Sequence, residues 1–255
     1  MRADKYFADK FGSRSKAKEK LLRGLVRIHD KPLAPDSEVT GDEEFIFKEE
    51  TTFVSRGGDK LERGLEMFGC SVSGKVFADL GASTGGFTDC LLRHGARYVY
   101  CVDVGENQLA EQIRTDERVR VMERTNARYL SKENFEKRLD GVVSDLSFIS
   151  LKLVLPAVKN LLSEGGEAIL LLKPQFECGK GAIGKSGILP VNKHRPILVN
   201  FYASCLNVGL FPQNVVNAPL RAGKNVEYVV LLSTEKQTIP QHEFLKLAEN
   251  FYENR

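Results

Sequence analysis

Val76-Phe77-Ala78-Asp79-Leu80-Gly81-Ala82-Ser83-Thr84-Gly85-Gly86-Phe87-Thr88-Asp89-Cys90-Leu91-Leu92 is the stretch that decides the fold. It opens as an apolar run of strand length, passes through a glycine-rich turn and closes on the start of a helix. Strand, glycine turn and helix in that order begin an α/β nucleotide site. Glycines without Cβ let the backbone approach a ligand, and a helix N-terminus offers unpaired N–H groups to a polar or anionic group. A second apolar run, Val99-Tyr100-Cys101-Val102, ends in Asp103, 24 residues beyond Asp79. An acid at that point accepts hydrogen bonds from ribose hydroxyls. The glycine spacing is not GxGxxG, which argues against a nicotinamide dinucleotide. An adenosyl group carried on a sulfonium fits it at least as well.

Outward from this unit, strands and helices alternate. Strands are expected at 76–80, 98–103, 119–122, 140–144 and 167–173, with helices at about 86–94, 106–115, 130–138, 150–162 and 192–207. That rhythm predicts a parallel sheet with helices on both faces. Two more strands, 212–218 and 226–233, are joined by a loop alone and predict an antiparallel hairpin at the sheet edge. The expected fold class is therefore α/β, a Rossmann-like sheet with a terminal antiparallel hairpin. This is the shape of S-adenosylmethionine-dependent methyltransferases, whose ligands sit beyond the carboxyl ends of the strands.

Composition narrows the function. A chain of 255 residues with 42% hydrophobic and 28% charged content reads as an ordinary globular protein. The longest purely apolar run, Ala168 to Leu172, is far too short to cross a bilayer. No apolar signal region follows Met1, so a cytoplasmic protein is expected. The cysteines at 70, 90, 101, 178 and 205 form no CxxC pair, which argues for reduced thiols and against a metal site.

Charge is concentrated at the N-terminus. Residues 1–31 hold ten Lys/Arg against four acids, while Asp36 to Glu50 is acidic. A basic face on a small module is the footprint of a polyanion partner, although a solvated helix face gives the same pattern. Ala3, Tyr6, Phe7 and Phe11 fall at helical spacing and Gly12 ends that helix. Ser13 caps a second helix through Arg23, closed by Gly24. Short strands follow at Leu25–Ile28 and Glu44–Phe47. The run Arg2-Ala3-Asp4, Ser13-Arg14-Ser15-Lys16-Ala17 and Gly24-Leu25-Val26-Arg27-Ile28 resembles the small α+β RNA-binding module first seen in ribosomal small-subunit protein four. The resemblance implies RNA contacts from Arg2, Arg14, Lys16, Lys18, Lys20 and Arg23, with Arg56 beside them. The expected organisation is the RNA-binding module over 1–48, a linker over 49–58, the Rossmann-like domain over 59–236 and a helical tail over 237–255.

Several segments converge at strand ends: Ser55-Arg56-Gly57-Gly58-Asp59-Lys60-Leu61 ahead of the sheet, Asp145-Leu146-Ser147-Phe148, Lys173-Pro174-Gln175-Phe176-Glu177, and Glu227 opening the last strand. With Asp79–Asp89, Asp103-Val104-Gly105 and Asn126-Ala127-Arg128, they resemble the TlyA family of ribosomal RNA 2'-O-methyltransferases, also labelled haemolysin A. That resemblance implies S-adenosylmethionine as cofactor, and ribosomal RNA or a ribosomal subunit as partner, with a cytidine ribose as target. It further implies a Lys60, Asp145, Lys173, Glu227 catalytic tetrad like that of FtsJ-type enzymes. Asp79, Gly81, Ser83, Thr84, Gly85, Asp103, Asn126 and Asp145 would serve the cofactor. The loop Pro219–Asn225 looks short and glycine-poor for the family, which leaves the register of Glu227 open. The short start before Arg2 favours the large subunit, with the small subunit still open, as is the oligomeric state.

Read singly, these residues have plainer uses. Asp79 and Asp145 suit helix or turn caps, Lys173 and Glu227 suit solvated charges, and Asn126 suits a turn. A non-catalytic ribosome-assembly factor is the alternative function, and a membrane-lytic toxin a third. Gly179–Ser186 matches GxxxxGK[ST], but Pro174–Cys178 separate it from its strand and Gly187 and Pro190 disfavour a following helix. It is expected instead to cover the site, with Lys180 and Lys185 near RNA phosphate.

Overall fold

The computed structural model describes residues 1–22, 24–29, 31–47, 53–179, 183–184, 186–220 and 223–253, with side chains as far as 249. They gather into two compact units, one of 1–52 with 219–224 and 249–255, the other of 53–218 with 225–248.

The first unit holds three short helices, α1 (Ala3–Tyr6), α2 (Ala8–Phe11) and α3 (Arg14–Leu22), and three strands, β1 (Val26–Ile28), β2 (Lys31–Pro32) and β3 (Phe45–Phe47). The strands pair antiparallel in the order β2-β1-β3. The continuous helix expected over 3–11 is broken at Phe7, whose ψ is 4°. That kink turns the Phe7 ring inward, 4.9 Å edge-on from both Tyr6 and Phe45. Gly12 ends α2 in the left-handed region at φ 80°, and Ser13 Oγ then accepts the Lys16 N–H at 3.2 Å, as a helix cap does. Ala3, Phe7, Ala17, Leu21, Val26, Leu33 and Val39 form the core.

The second unit begins with α4 (Gly57–Phe68), β4 (Val76–Leu80), α5 (Gly86–Arg93), β5 (Tyr98–Val102), α6 (Glu111–Arg114) and β6 (Val119–Met122). It continues through β7 (Gly141–Ser144), α7 (Leu155–Leu161), β8 (Glu167–Leu172), α8 (Pro174–Glu177), α9 (His194–Asn207), β9 (Phe211–Asn217), β10 (Tyr228–Ser233) and, as far as residue 248, α10 (Gln241–Glu253). The sheet order is β6-β5-β4-β7-β8-β10-β9. β4 to β8 pair in parallel, and β10 runs antiparallel to both neighbours. The expected hairpin is present, but its second strand is inserted between β8 and β9, so β9 is the edge. Every residue of β4, β7 and β10 is buried, the near-continuous apolar reading of strands covered on both faces. Leu61 and Leu65 of α4 and Phe87, Cys90 and Leu91 of α5 pack with Phe77, Val99, Val143, Ile169, Leu171 and Val229 of the sheet.

Two expected helices fail for local reasons. Over 130–138 only one 3-10 turn forms, at Lys132–Asn134, after another at Ala127–Tyr129. Asn134 Oδ1 accepts the Ser131 N–H at 2.8 Å as half of a capping box, so a helix start is present, but it stops after one turn where Phe135 takes extended backbone at φ −121° and ψ 125°. Phe135 and Leu139 then turn into the core. Over 106–115 only Glu111–Arg114 is α-helical. Asn107 takes φ 54° and gives its N–H to Glu123, which delays the helix start.

Candidate active site

The strand order turns at β4, with β5 and β6 on one side and β7 and β8 on the other, and a ligand crevice opens at such a switch point beyond the strand ends. The loop leaving β4 is held there by its glycines. Gly85 has φ 92°, and a Cβ on Gly86 would lie 2.2 Å from Ser55 Oγ and 3.0 Å from the Gly58 nitrogen. Only glycine lets the starts of α4 and α5 meet so closely.

Asp103, at the end of β5, accepts the Ser83 N–H through Oδ2 and the Gly105 N–H through Oδ1, both at 2.8 Å. Each carboxylate oxygen keeps a further lone pair that can accept from a hydroxyl group. Ser83, Thr84 and Gly85 thus gather beside Asp103, with the Thr84 carbonyl accepting the Ala110 N–H at 3.2 Å. The Gly81 N–H goes to the Val102 carbonyl at 2.8 Å, which ties the loop to β5.

Two expected cofactor residues turn to other partners. Asp79 is fully buried, and its Oδ2 accepts both the N–H and the Oγ–H of Thr88, at 3.1 and 2.7 Å. It caps the first turn of α5 from below, the plainer of the two uses its sequence position allows. Burial pushes this carboxyl up to about 7 against the pull of the Thr88 hydrogen bond, with the Asp145 charge adding to the rise. Asn126 Oδ1 caps a 3-10 turn by accepting the Arg128 N–H at 3.1 Å.

The four tetrad candidates meet. Lys60 lies in the first turn of α4, Asp145 follows β7, and Lys173 follows β8. Because β10 is antiparallel to β8 with Tyr228 opposite Leu172, the residue before β10 emerges beside the residue after β8. That residue is Glu227, so the register the sequence left open is settled by strand pairing. Lys60 Nζ is 2.7 Å from Glu227 Oε2 and 3.5 Å from Asp145 Oδ2, and Lys173 Nζ is 2.5 Å from Asp145 Oδ1. The chain of charges therefore runs Glu227, Lys60, Asp145, Lys173, alternating in sign. Lys173 is the deepest, with 8% of its side chain exposed. A buried ammonium of this kind needs compensation, and Ser147 Oγ accepts from its Nζ at 2.7 Å as well.

Three further residues at the site carried no role in the sequence reading. Ser147 and Gln175 complete the hydrogen bonding, with Gln175 Nε2 donating to Glu227 Oε1 at 3.0 Å. Phe148 is 90% exposed with φ 62°, and its ring lies 5.1 Å from that of Phe176. All three lie two or three positions after a tetrad member, and that proximity was the only signal available. Glu177 ties the two segments, accepting the Ser150 hydroxyl and the Leu151 N–H at 2.5 and 2.7 Å.

Of the expected RNA-binding residues, Lys16 and Lys18 stand exposed on α3 and Arg56 is exposed just before α4. Lys20 Nζ lies 5.4 Å from the Phe11 ring. Arg2 and Arg14 keep exposed stems but converge on the buried Asp4, at 3.2 and 3.0 Å. Burial alone would raise the Asp4 carboxyl, but the hydrogen bonds from Arg2 and Arg14 outweigh it and hold the group below its ordinary value. Arg23, Lys180 and Lys185 lie outside the described residues.

Residues 53–234 match the model of the family described as FtsJ-like methyltransferase. The Mycobacterium tuberculosis protein named 16S/23S rRNA (cytidine-2'-O)-methyltransferase TlyA is 42% identical over 229 residues, spanning 88% of this chain and 85% of that one. Hemolysin A of Brachyspira hyodysenteriae is 39% identical over 90% of this chain and 98% of its own length. A solved structure from Streptococcus thermophilus, provisionally titled a hemolysin, superposes with a TM-score of 0.73 at 35% identity, over 100% of this chain and 98% of its own. Among the described residues no helix is long and apolar enough to cross a membrane.

Proposed function

This chain belongs to the FtsJ-like methyltransferase family, and from that premise we propose that it methylates the ribose 2'-oxygen of a cytidine in ribosomal RNA, using S-adenosylmethionine. The cytidine and the ribosomal RNA follow the name of the M. tuberculosis relative. The observation that carries the reading is the alternating row Glu227, Lys60, Asp145, Lys173 at the carboxyl edge of the sheet, beside the loop 81–85 and Asp103.

The residues present suit the cofactor. Asp103 offers acceptors for its ribose, Ser83, Thr84 and Gly85 line the approach, and the Asp145 carboxylate is a counter-charge for an amino group. When bound, the cofactor supplies an electrophilic methyl group. A ribose 2'-hydroxyl is a weak nucleophile and must lose its proton while aligned with that methyl. We assign to Lys173 the stabilisation of the oxygen as its proton leaves to solvent. Its ammonium is screened from water and oriented by Asp145 and Ser147, so its field on a developing oxyanion is little reduced by solvent. Lys60 and Glu227 orient the sugar. Asp79 supports from beneath by fixing α5, and Asn126 is left to the adenine side.

The basic residues of α3, with Arg2 and Arg14, dock structured RNA through phosphate and shape rather than base edges. The protein works where ribosomes are assembled, in the cytoplasm. Transfer of tritiated methyl to isolated large and small subunits tests the reading and identifies the substrate subunit. Incorporation that is absent from both, or that appears on bases rather than at 2'-oxygens, overturns it.

A further inference from the structure

Away from the crevice, the seam between α4 and α5 carries a second constellation of reactive side chains. Glu62 of α4 meets Cys90 of α5 and His94, the residue that caps its C-terminus, with one ligand atom of each lying within 4.8 Å of the others. His94 Nε2 is 2.5 Å and Cys90 Sγ 3.5 Å from the same Glu62 Oε2. Cys90 and His94 are four residues apart on a helix and so share one face. Cys90 is fully buried, while the side chains of Glu62 and His94 are 24% and 40% exposed. The cluster therefore has a closed floor and an open mouth.

We propose that Glu62, Cys90 and His94 bind one zinc-type divalent cation, with the fourth position left to water. The donor set decides the ion. One sulfur, one imidazole nitrogen and one carboxylate oxygen suit zinc or a close transition-metal neighbour, whereas magnesium and calcium demand oxygens throughout. Tetrahedral bonds of about 2.0–2.3 Å set ligand atoms about 3.3–3.7 Å apart. The Cys90–Glu62 spacing already has that value. The Glu62–His94 contact needs to open by less than about 1 Å to admit the ion between them.

Protons balance simply. Coordination displaces the thiol proton of Cys90 and any proton shared between Glu62 and His94, and both leave to solvent. Burial keeps that thiol protonated in the empty site, with the Glu62 charge adding to the effect. The ion would fasten α4 to α5, the two helices whose first turns carry Lys60 and the Gly86 close approach. None of the three ligands touches the tetrad, so the proposal is independent of the methyl-transfer reading.

The test uses the full chain, stripped with a chelator and titrated with zinc by calorimetry and with cobalt by absorption. About one equivalent should bind, cobalt should show a thiolate charge-transfer band, and zinc should raise the melting temperature. His94→Gln and Glu62→Gln, both at the exposed mouth, should each weaken binding at least about tenfold. Cys90→Ser should abolish the band, and His94→Gln keeps the test decisive if Cys90→Ser fails to fold. No stoichiometric uptake, a cobalt spectrum lacking the thiolate band, or undiminished uptake in both mouth variants would each overturn the proposal.

Discussion

Lys60 Nζ and Glu227 Oε2 lie 2.7 Å apart across 167 residues of chain, and the same ammonium reaches Asp145 Oδ2 at 3.5 Å. Removing either end of the Lys60–Glu227 pair costs the other its nearest counter-charge, although Lys60 keeps Asp145 and Glu227 keeps the Gln175 amide. Lys60→Ala and Glu227→Ala should each slow single-turnover methylation. The double variant should lose clearly less than the product of the two single losses, because the pair acts as one unit. Independent, multiplicative losses in a double-mutant cycle would contradict this coupling.

Lys173 has the deepest ammonium of the row, and the negative charge of the transition state is assigned to its neighbourhood. Lys173→Ala should reduce the single-turnover rate by about 10²- to 10⁴-fold. Cofactor affinity measured by calorimetry should change far less. A near-normal rate would remove Lys173 from the chemistry.

Phe148 leaves nearly its whole ring in solvent beside the tetrad, with the Phe176 ring 5.1 Å away, an unfavourable placement for an apolar residue unless a ligand covers it. A nucleotide lifted out of folded RNA presents a base that stacks on such a ring at about 1–3 kcal/mol. Phe148→Ala should therefore lower methylation of ribosomal substrate about 5- to 100-fold while leaving cofactor binding and melting temperature unchanged. Equal activity in the two proteins would assign the ring no part in substrate handling.

Asp79 gives a pH signature. Its folded-state value of about 7 lies above that of an unfolded aspartate, so between about pH 4 and 7 the native state holds a proton that the unfolded chain has lost. Stability from this group is fullest below pH 4, falls as pH rises to 7 by at most ~1.4 kcal/mol per unit, and is level above. Asp79→Asn should flatten that decline. Chemical denaturation of both proteins across the range measures it, and parallel profiles would refute the assignment.

Lys16 and Lys18 stand free of the Asp4 cluster that holds Arg2 and Arg14. Lys16→Ala/Lys18→Ala should weaken RNA binding at low salt and reduce the slope of log affinity against log salt by about 2. Arg14→Ala should instead lower the stability of its own unit, because Asp4 is 3% exposed and would lose a partner. An unchanged salt slope in the lysine variant would place the RNA elsewhere.

Much of this architecture was legible in the chain. The apolar runs that became β4, β5, β7 and β8 could hardly be anything else, since strands buried on both faces need continuous apolar side chains. Lys60, Asp145 and Lys173 were readable because Asp145 and Lys173 directly follow such runs and Lys60 lies at the start of the helix ahead of the sheet. Glu227 was the uncertain member, and only the pairing of Tyr228 with Leu172 fixes it. Residues 130–138 misled because a helical composition with a capping box at Ser131 and Asn134 stops after one turn, where Phe135 goes extended and Phe135 and Leu139 are buried. The Glu62, Cys90 and His94 cluster was beyond reach, since scattered cysteines argued against any metal and Glu62 arrives from a different helix.

The late insertion of β10 also sets a timetable for synthesis. Until residues 228–233 leave the ribosome, β8 presents the bare backbone edge of Ala168-Ile169-Leu170-Leu171-Leu172 to whatever strand comes near. A nascent chain therefore carries an adhesive edge from the emergence of β8 until that of β10. It gains its last charged partner, Glu227, in the same event that seals the sticky edge.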